Sequence, residues 1–495
     1  MSSTLKKKAL GAVVWSAAEQ FTTQGVGFVI GIFLARLLQP QQFGLLGMIG
    51  VFLGLGQVFA SCGFGQALIQ RQDTTRVDES SVFYVNVFLG VIASVSLFLA
   101  APGIAAFYKQ SSLELLTKIM AVDVLINSLG VVQVALLTKR MDFKTQLKIS
   151  VTANAVSGII AIIMAVRGMG VISLVSQLLI RDTLRTVLVW RMDDWRPLAA
   201  LSLKSVRRLF SFGSRIFASA LVNAAFQSLY PLTIGKLFSP ASLGYFTRAQ
   251  QLQSAPAENL INTVARVSFP LFSALQHDPA KLKRAVRRAV ILMVFLVFPL
   301  MTGLACVADS LVRVLLTDKW RPCVPLLQIF CLAGALYPLQ TIHTYALMAL
   351  GRADLFFRLE VAKKVLGVTA IALTYRFGVT GLVWGDALTT LLCFFITGYC
   401  IVRFISYPWR EQIRDLLPYF VLSVSMAIPV IGVKMLGIGN SIAVLLLQIT
   451  VGIAAYAVGG IVFRVSALAD AWEFLQQRGF PFARSAPVVP ESTTD

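Results

Sequence analysis

Charge is scarce in this chain, and acidic charge is scarcest. Only 14% of its 495 residues are Asp, Glu, Lys or Arg, and 23 acidic residues face 44 basic ones. Soluble proteins carry roughly 25% charged residues, so this poverty excludes a soluble globular enzyme. Histidine is nearly absent: His277 and His343 are the two in the chain, too few for an imidazole metal cluster. His277 reads as a solvated loop residue and His343 as a hydrogen-bonded helix residue. The cysteines Cys62, Cys306, Cys323, Cys331, Cys393 and Cys400 lack ligand spacing and fall mostly in apolar stretches, where inert buried thiols are expected. GxSxG, HExxH and GxxxxGK[ST] are all missing, which removes the usual signals for hydrolase, zinc-protease and nucleotide-phosphate chemistry. No cofactor and no metal are expected.

What the chain has is apolar sequence, at 57% hydrophobic residues and a mean hydropathy of +0.76. A disordered chain is poor in those residues. A hydrocarbon core of about 30 Å is crossed by roughly 20 helical residues, and stretches of that length recur. They predict an all-α polytopic membrane protein with about fourteen spans, near 9–37, 43–70, 82–107, 115–137, 147–166, 169–190, 209–237, 242–276, 288–312, 323–350, 359–376, 379–403, 416–436 and 441–463. Lys6-Lys7-Lys8 opens like a signal peptide, but the apolar run behind it is too long for one, so an uncleaved first span is expected. Residues 465–495 read as a cytoplasmic tail, with Ser485 to Asp495 disordered.

The net charge of +21 does not imply nucleic acid, because the basic residues form short clusters between apolar runs. With the N-terminus inside and basic residues toward span ends counted with the adjoining loop, 31 Lys and Arg go to the cytoplasmic side and 10 to the outside, with Arg215, Arg248 and Arg266 set apart as span residues. This bias predicts that both termini are cytoplasmic. Asp193-Asp194, amid arginines of one cytoplasmic loop, reads as a solvated charge cluster.

A repeat appears at an offset of 200 residues: Ala35 to Gly44 matches Gly235 to Gly244, with Arg36, Pro40 and Gly44 meeting Lys236, Pro240 and Gly244. Gly170 to Val175 matches Gly378 to Val383 at an offset of 208. Duplication is the reading. It divides the chain into a first lobe of six spans at 1–200, a second at 201–405, two added spans at 406–464 and the tail. Six spans per unit place both lobes in the same orientation, related by an axis along the membrane normal. Outer loops are short, the longest near 313–322, which leaves little room for an acceptor domain and disfavours an enzyme.

Polar residues within spans carry the functional signal, because an ionisable group in hydrocarbon is costly. Arg248, Gln251, Ala255, Glu258, Asn262 and Arg266 follow at spacings of three or four, one face of a helix interrupted by Pro256. Ser16, Glu19, Thr23 and Gly27 make a similar face on the first span, and its repeat partner carries Arg215, Ser219, Asn223 and Gln227. These faces predict a water-filled cavity lined by Glu19, Thr23, Asn223, Gln227, Gln251, Glu258 and Asn262. Ser, Thr, Asn and Gln also serve as interhelical glue, Glu258 can pair with Arg266 or Asn262, and Arg266 can snorkel to the interface. Arg248, Arg266 and Arg215 suit a phosphate-bearing anion, whose oxygens match the planar guanidinium fork. Asp123 and Asp386, also in or near spans, receive no assignment.

Several segments resemble a known family: Trp15-Ser16-Ala17, Ala35-Arg36, Gln42 to Leu46, Gln66 to Arg71, Arg266 to Phe272, Lys281 to Lys283, Lys319-Trp320 and Pro325 to Gln328. Over about residues 5–405 the chain resembles the Wzx-type polysaccharide flippases, close to the colanic-acid branch, in the superfamily of the MATE exporters and MviN-type lipid II flippases. The resemblance implies a bacterial inner-membrane protein with two six-helix lobes in a V plus two helices. It implies alternating-access translocation of an undecaprenyl-diphosphate-linked oligosaccharide for exopolysaccharide, O-antigen or lipopolysaccharide assembly. Membrane lipids and an assembly polymerase would be its partners, and Glu19 is the ion-coupling candidate. The alternative is a MATE-like, ion-coupled small-molecule exporter.

Overall fold

The computed structural model describes residues 3–71 and 73–462. The expected tail at 465–495 lies outside the described residues. Among those described there is no strand. Helices α1 (Ser3–Leu37), α2 (Pro40–Ser61), α3 (Phe64–Gln70), α4 (Arg76–Tyr108), α5 (Ser112–Ser128), α6 (Val131–Lys139), α7 (Phe143–Val166) and α8 (Val171–Met192) come first. They are followed by α9 (Leu203–Leu237), α10 (Pro240–Ala274), α11 (Pro279–Leu316), α12 (Cys323–Ala349), α13 (Ala353–Thr374), α14 (Gly378–Ile405), α15 (Trp409–Gly432) and α16 (Ser441–Val462). By length and composition, eight described helical segments can cross a membrane, or ten if each of two bent pairs is one span.

Local chemistry sets the ends. Proline begins α2, α10 and α11, where its missing N–H is not needed. Thr75 and Asp78 form a reciprocal capping box at the start of α4, with Thr75 N donating to Asp78 Oδ2 at 2.9 Å. Asp142 caps α7 and Ser202 caps α9 through their side-chain oxygens.

Two of the expected spans are broken helices. The second divides into α2 and α3 at Cys62 and Gly63, both left-handed at φ 45° and 71°. A Cβ on Gly63 would lie 2.4 Å from the Gly213 carbonyl oxygen, so close backbone approach and positive φ both require glycine there. The fourth divides into α5 and α6 near Gly130, with a bend of 40°.

The helices group into two compact units, one comprising residues 1–248 and 315–323, the other 249–314 and residues from 324 onward. In the first unit, Phe64, Leu68, Val82, Phe83, Leu136 and Trp195 form a core. There the ring of Phe83 meets Trp190 and Trp195 edge-on at 5.8 and 5.9 Å. The loop after α8 and the start of α9 dock on α4: Asp78 takes a charge-assisted bond from Arg208 Nη2 of α9 at 2.6 Å, and Trp195 Nε1 of the loop donates to Glu79 at 2.7 Å. Asp193 is not a solvated charge, contrary to expectation. It is 3% exposed and accepts from Arg140 Nη1 at 2.8 Å, because an anion buried beside a loop needs a cation.

The repeat motif has a structural use. A Cβ on Gly44 would fall 1.6 Å from the Pro240 carbonyl oxygen, and one on Gly244 would fall 2.1 Å from that of Pro40. The starts of α2 and α10 therefore touch backbone to backbone, and the contact is reciprocal under the 200-residue offset.

In the second unit Val307, Met426, Val430 and Leu445 pack together. Arg287 holds Asp415 through two bonds of 2.5 and 2.6 Å, and Lys283 pairs with Glu411 at 2.8 Å. The basic stretch at the start of α11 is thus fastened to α15. His343 is 1% exposed, stacks on Phe394 at 6.1 Å, and has no hydrogen-bond partner at Nδ1, unlike the bonded helix residue expected.

Candidate functional site: polar faces on membrane-spanning helices

On α9, Arg215, Ser219, Asn223 and Gln227 recur every four residues, and all four side chains are exposed. The spacing places them along one helix face. On α10, Gln251 and Glu258 are exposed while Arg248 is half-buried. The side chains of Asn262 and Arg266 lie outside the described residues, so the expected Arg266–Glu258 pairing does as well.

Arg248 is held by its surroundings. Its Nη2 donates to the Gly31 carbonyl at 3.1 Å, and the guanidinium lies over the ring of Phe43 at 4.3 Å and near that of Trp320 at 5.9 Å. A planar cation against an aromatic face is a favourable arrangement.

Trp320 is fully buried, meets Phe43 edge-on at 5.2 Å and donates through Nε1 to the Ala35 carbonyl at 2.8 Å. Its neighbour Lys319 donates through Nζ to the Arg36 carbonyl at 2.6 Å. Burial pushes the Lys319 ammonium below its ordinary pKa. Together the two residues satisfy carbonyls at the end of α1 that have no partner within the helix. The sequence singled out Lys319-Trp320 as a resembling motif without a role; capping α1 is that role.

The polar face of α1 turns toward its own unit. Glu19 Oε1 accepts from Ser150 Oγ of α7 at 3.2 Å, and Thr23 Oγ1 is buried with no hydrogen-bond partner. The structure thus brings Arg248 together with the end of α1, lines Arg215, Asn223 and Gln227 on α9, and ties Glu19 to α7.

On α5 and α8 the unassigned Asp123 meets residues that the sequence reading missed, Asn127, Arg181 and Asp182, in a polar cluster whose two carboxylates are buried. Asp182 beside Arg181 in an apolar stretch was the available signal. A second feature is an apolar cavity of about 610 Å³ formed by α11, α15 and α16, with Leu300, Val307, Met426, Val430, Ile453 and Tyr456 in its wall. Among the described residues no group of His, Cys, Asp and Glu could hold a metal ion.

Comparison with known proteins agrees with this architecture. Teichuronic acid biosynthesis protein TuaB of Bacillus subtilis is 27% identical over 383 residues, covering 77% of this chain and 79% of that protein. Lipopolysaccharide biosynthesis protein WzxC of Escherichia coli is 25% identical over 423 residues, covering 84% and 86%. The solved structure of the lipid II flippase MurJ, in an inward closed conformation, superposes with a TM-score of 0.75 at 14% identity, covering 91% of this chain and 99% of that one. That likeness shows a shared fold. A family model described as polysaccharide biosynthesis protein matches residues 33–325, and the chain belongs to that family.

Proposed function

We propose that this protein is a flippase that carries an undecaprenyl-diphosphate-linked oligosaccharide across the bacterial inner membrane by alternating access. The observation that carries the reading is the stripe Arg215, Ser219, Asn223 and Gln227, exposed along a helix of membrane-crossing length. Such residues do not face hydrocarbon at acceptable cost, so they face water or a polar ligand. A glycan with a diphosphate is such a ligand: hydroxyls suit Asn and Gln, and phosphate oxygens suit guanidinium forks. Family membership and the similarity to TuaB and WzxC, proteins of teichuronic acid and lipopolysaccharide biosynthesis, support the same substrate class.

Arg215, Arg248 and Arg266 supply the positive potential for the diphosphate, with Gln251, Glu258, Asn262, Thr23 and Glu19 completing the polar lining. The apolar cavity of α11, α15 and α16 suits an isoprenoid chain, and the remaining tail stays in lipid. Two duplicated six-helix lobes and two added helices, with fourteen crossings and both termini cytoplasmic, complete the arrangement. The protein performs no covalent chemistry, and an assembly polymerase consumes its product.

Deleting the gene tests the reading. The expected result is accumulation of lipid-linked repeat units on the cytoplasmic leaflet and loss of surface or secreted polysaccharide. Unchanged glycan with raised drug sensitivity would favour a small-molecule exporter instead.

A further inference from the structure

Asp123 on α5 and Asp182 on α8 are 1% and 4% exposed. Asn127 Nδ2 donates to both carboxylates, at 3.3 Å to Asp123 Oδ2 and 3.1 Å to Asp182 Oδ2. Arg181 grips Asp182 through Nε at 2.7 Å and Nη2 at 2.9 Å. Asp182 therefore has its counter-charge. Asp123 has none of its own, and its Oδ1 is buried with no hydrogen-bond partner.

The neighbouring elements offer no further compensation. α2 meets α5 here through Gly56 against Val124, and α4 through Ser94, whose hydroxyl donates to the Ala121 carbonyl at 2.6 Å. From α8, besides Asp182 and Arg181, Thr186 donates to the Ile126 carbonyl at 3.3 Å. The charged groups described against Asp123 are thus one carboxylate and one guanidinium already committed to that carboxylate. Two buried carboxylates that share one amide donor cannot both ionise without a large cost.

The cluster also has a route to water. A cavity of about 240 Å³ in the same unit is lined by Ser61, Gln66, Asn127, Thr138, Arg185 and Thr186, polar enough and large enough for several waters. Asn127 is shared between that cavity and the carboxylates.

We propose that Asp123 is a proton-carrying carboxyl, protonated beside the Asp182 that Arg181 grips and exchanging its proton with water in the cavity that Asn127 adjoins. A proton arriving as hydronium adds to a carboxylate oxygen of Asp123 and leaves water behind; on release the O–H bond breaks and water takes the proton. With the proton in place the cluster is neutral, since Arg181 and Asp182 cancel. Without it one negative charge is left over between α5 and α8, and these helices must admit water or repack. Protonation therefore selects between packings of this helix pair, as a coupling ion does. A sodium ion fits less well: the Asn127 amide and the Arg181 guanidinium point donors at the oxygens a cation would need. The proposal rests on the transporter reading above, and it moves the coupling residue from Glu19 to Asp123.

The test titrates purified full-length protein by infrared difference spectroscopy, reading the carbonyl stretch of protonated carboxylic acids. The wild type should show a buried protonated acid at neutral pH that Asp123→Asn abolishes, that Asp123→Glu restores, and that Glu19→Gln leaves in place. Asn is close in shape to protonated Asp, and the Glu variant keeps the acid if the Asn variant folds poorly. In cells, Asp123→Asn should make polysaccharide export insensitive to the proton gradient or abolish it, with Asp123→Glu partly restoring it. A band that persists in Asp123→Asn, or that is displaced by sodium chloride but not by potassium chloride, overturns the proposal. So does export that keeps its full proton dependence in Asp123→Asn. Because the infrared measurement needs no substrate, failure of the flippase reading would show separately, as polysaccharide unaffected by deletion of the whole gene.

Discussion

Arginines that look alike in sequence differ in what surrounds them. Arg215 is exposed on α9, whereas Arg248 also packs on Phe43 and bonds the Gly31 carbonyl. Replacing Arg215 removes charge; replacing Arg248 removes packing as well. Arg215→Ala should therefore leave membrane yield and detergent stability unchanged while lowering export, and Arg248→Ala should lower both. A charge-assisted bond to phosphate contributes roughly 1.5–3 kcal/mol, so each loss should weaken binding of a polyprenyl diphosphate by about tenfold to a hundredfold. Arg215→Lys should recover only part of this, since the ammonium lacks the fork. Equal transport by wild type and Arg215→Ala would remove Arg215 from the site. Trp320→Phe keeps the ring against Phe43 but loses the bond to the Ala35 carbonyl. The expected cost is about 1 kcal/mol, read as a lower thermal midpoint. The polar stripe on α9 was legible in sequence because its spacing is a helix period and its residues are costly in hydrocarbon. The anchoring of Arg248 was not, because Gly31, Phe43 and Trp320 are far from it in sequence and nothing local indicates their meeting.

At the scale of elements, the most specific packing is that of α2 against α10. A methyl on Gly44 or Gly244 would collide with the carbonyl of Pro240 or Pro40, and backbone cannot step aside as a flexible side chain can. Gly44→Ala and Gly244→Ala should each destabilise by about 1–3 kcal/mol or more, measured as loss of monodisperse protein in detergent. Gly103→Ala is the control, since nothing lies within 4 Å of its Cβ position. If all three variants behave like the wild type, the close approach of α2 and α10 is wrong. Hydropathy located most helices, because twenty apolar residues have few other conformations available in a membrane. It missed the breaks at Cys62–Gly63 and near Gly130, since apolar character continues across both. It also left Asp123 unassigned: the residue was visible, but its partners on α8 are supplied by tertiary packing.

For the whole molecule, the assignment of 31 basic residues to one side against 10 to the other predicts a cytoplasmic location for both termini and for loops 191–208 and 277–288. In a cysteine-free background, a thiol at position 204 or 283 should resist impermeant maleimide in intact cells and react once the membrane is opened. Labelling from outside at either position would invert the topology. The direct measurement of the central claim is the leaflet in which lipid-linked repeat units reside. In membrane vesicles from a deletion strain, units should be accessible only on the cytoplasmic face. Restoring the wild-type gene should move them to the opposite face, and restoring Arg215→Ala should move far fewer. If the units cross equally well with no copy of the gene, this protein is not their flippase.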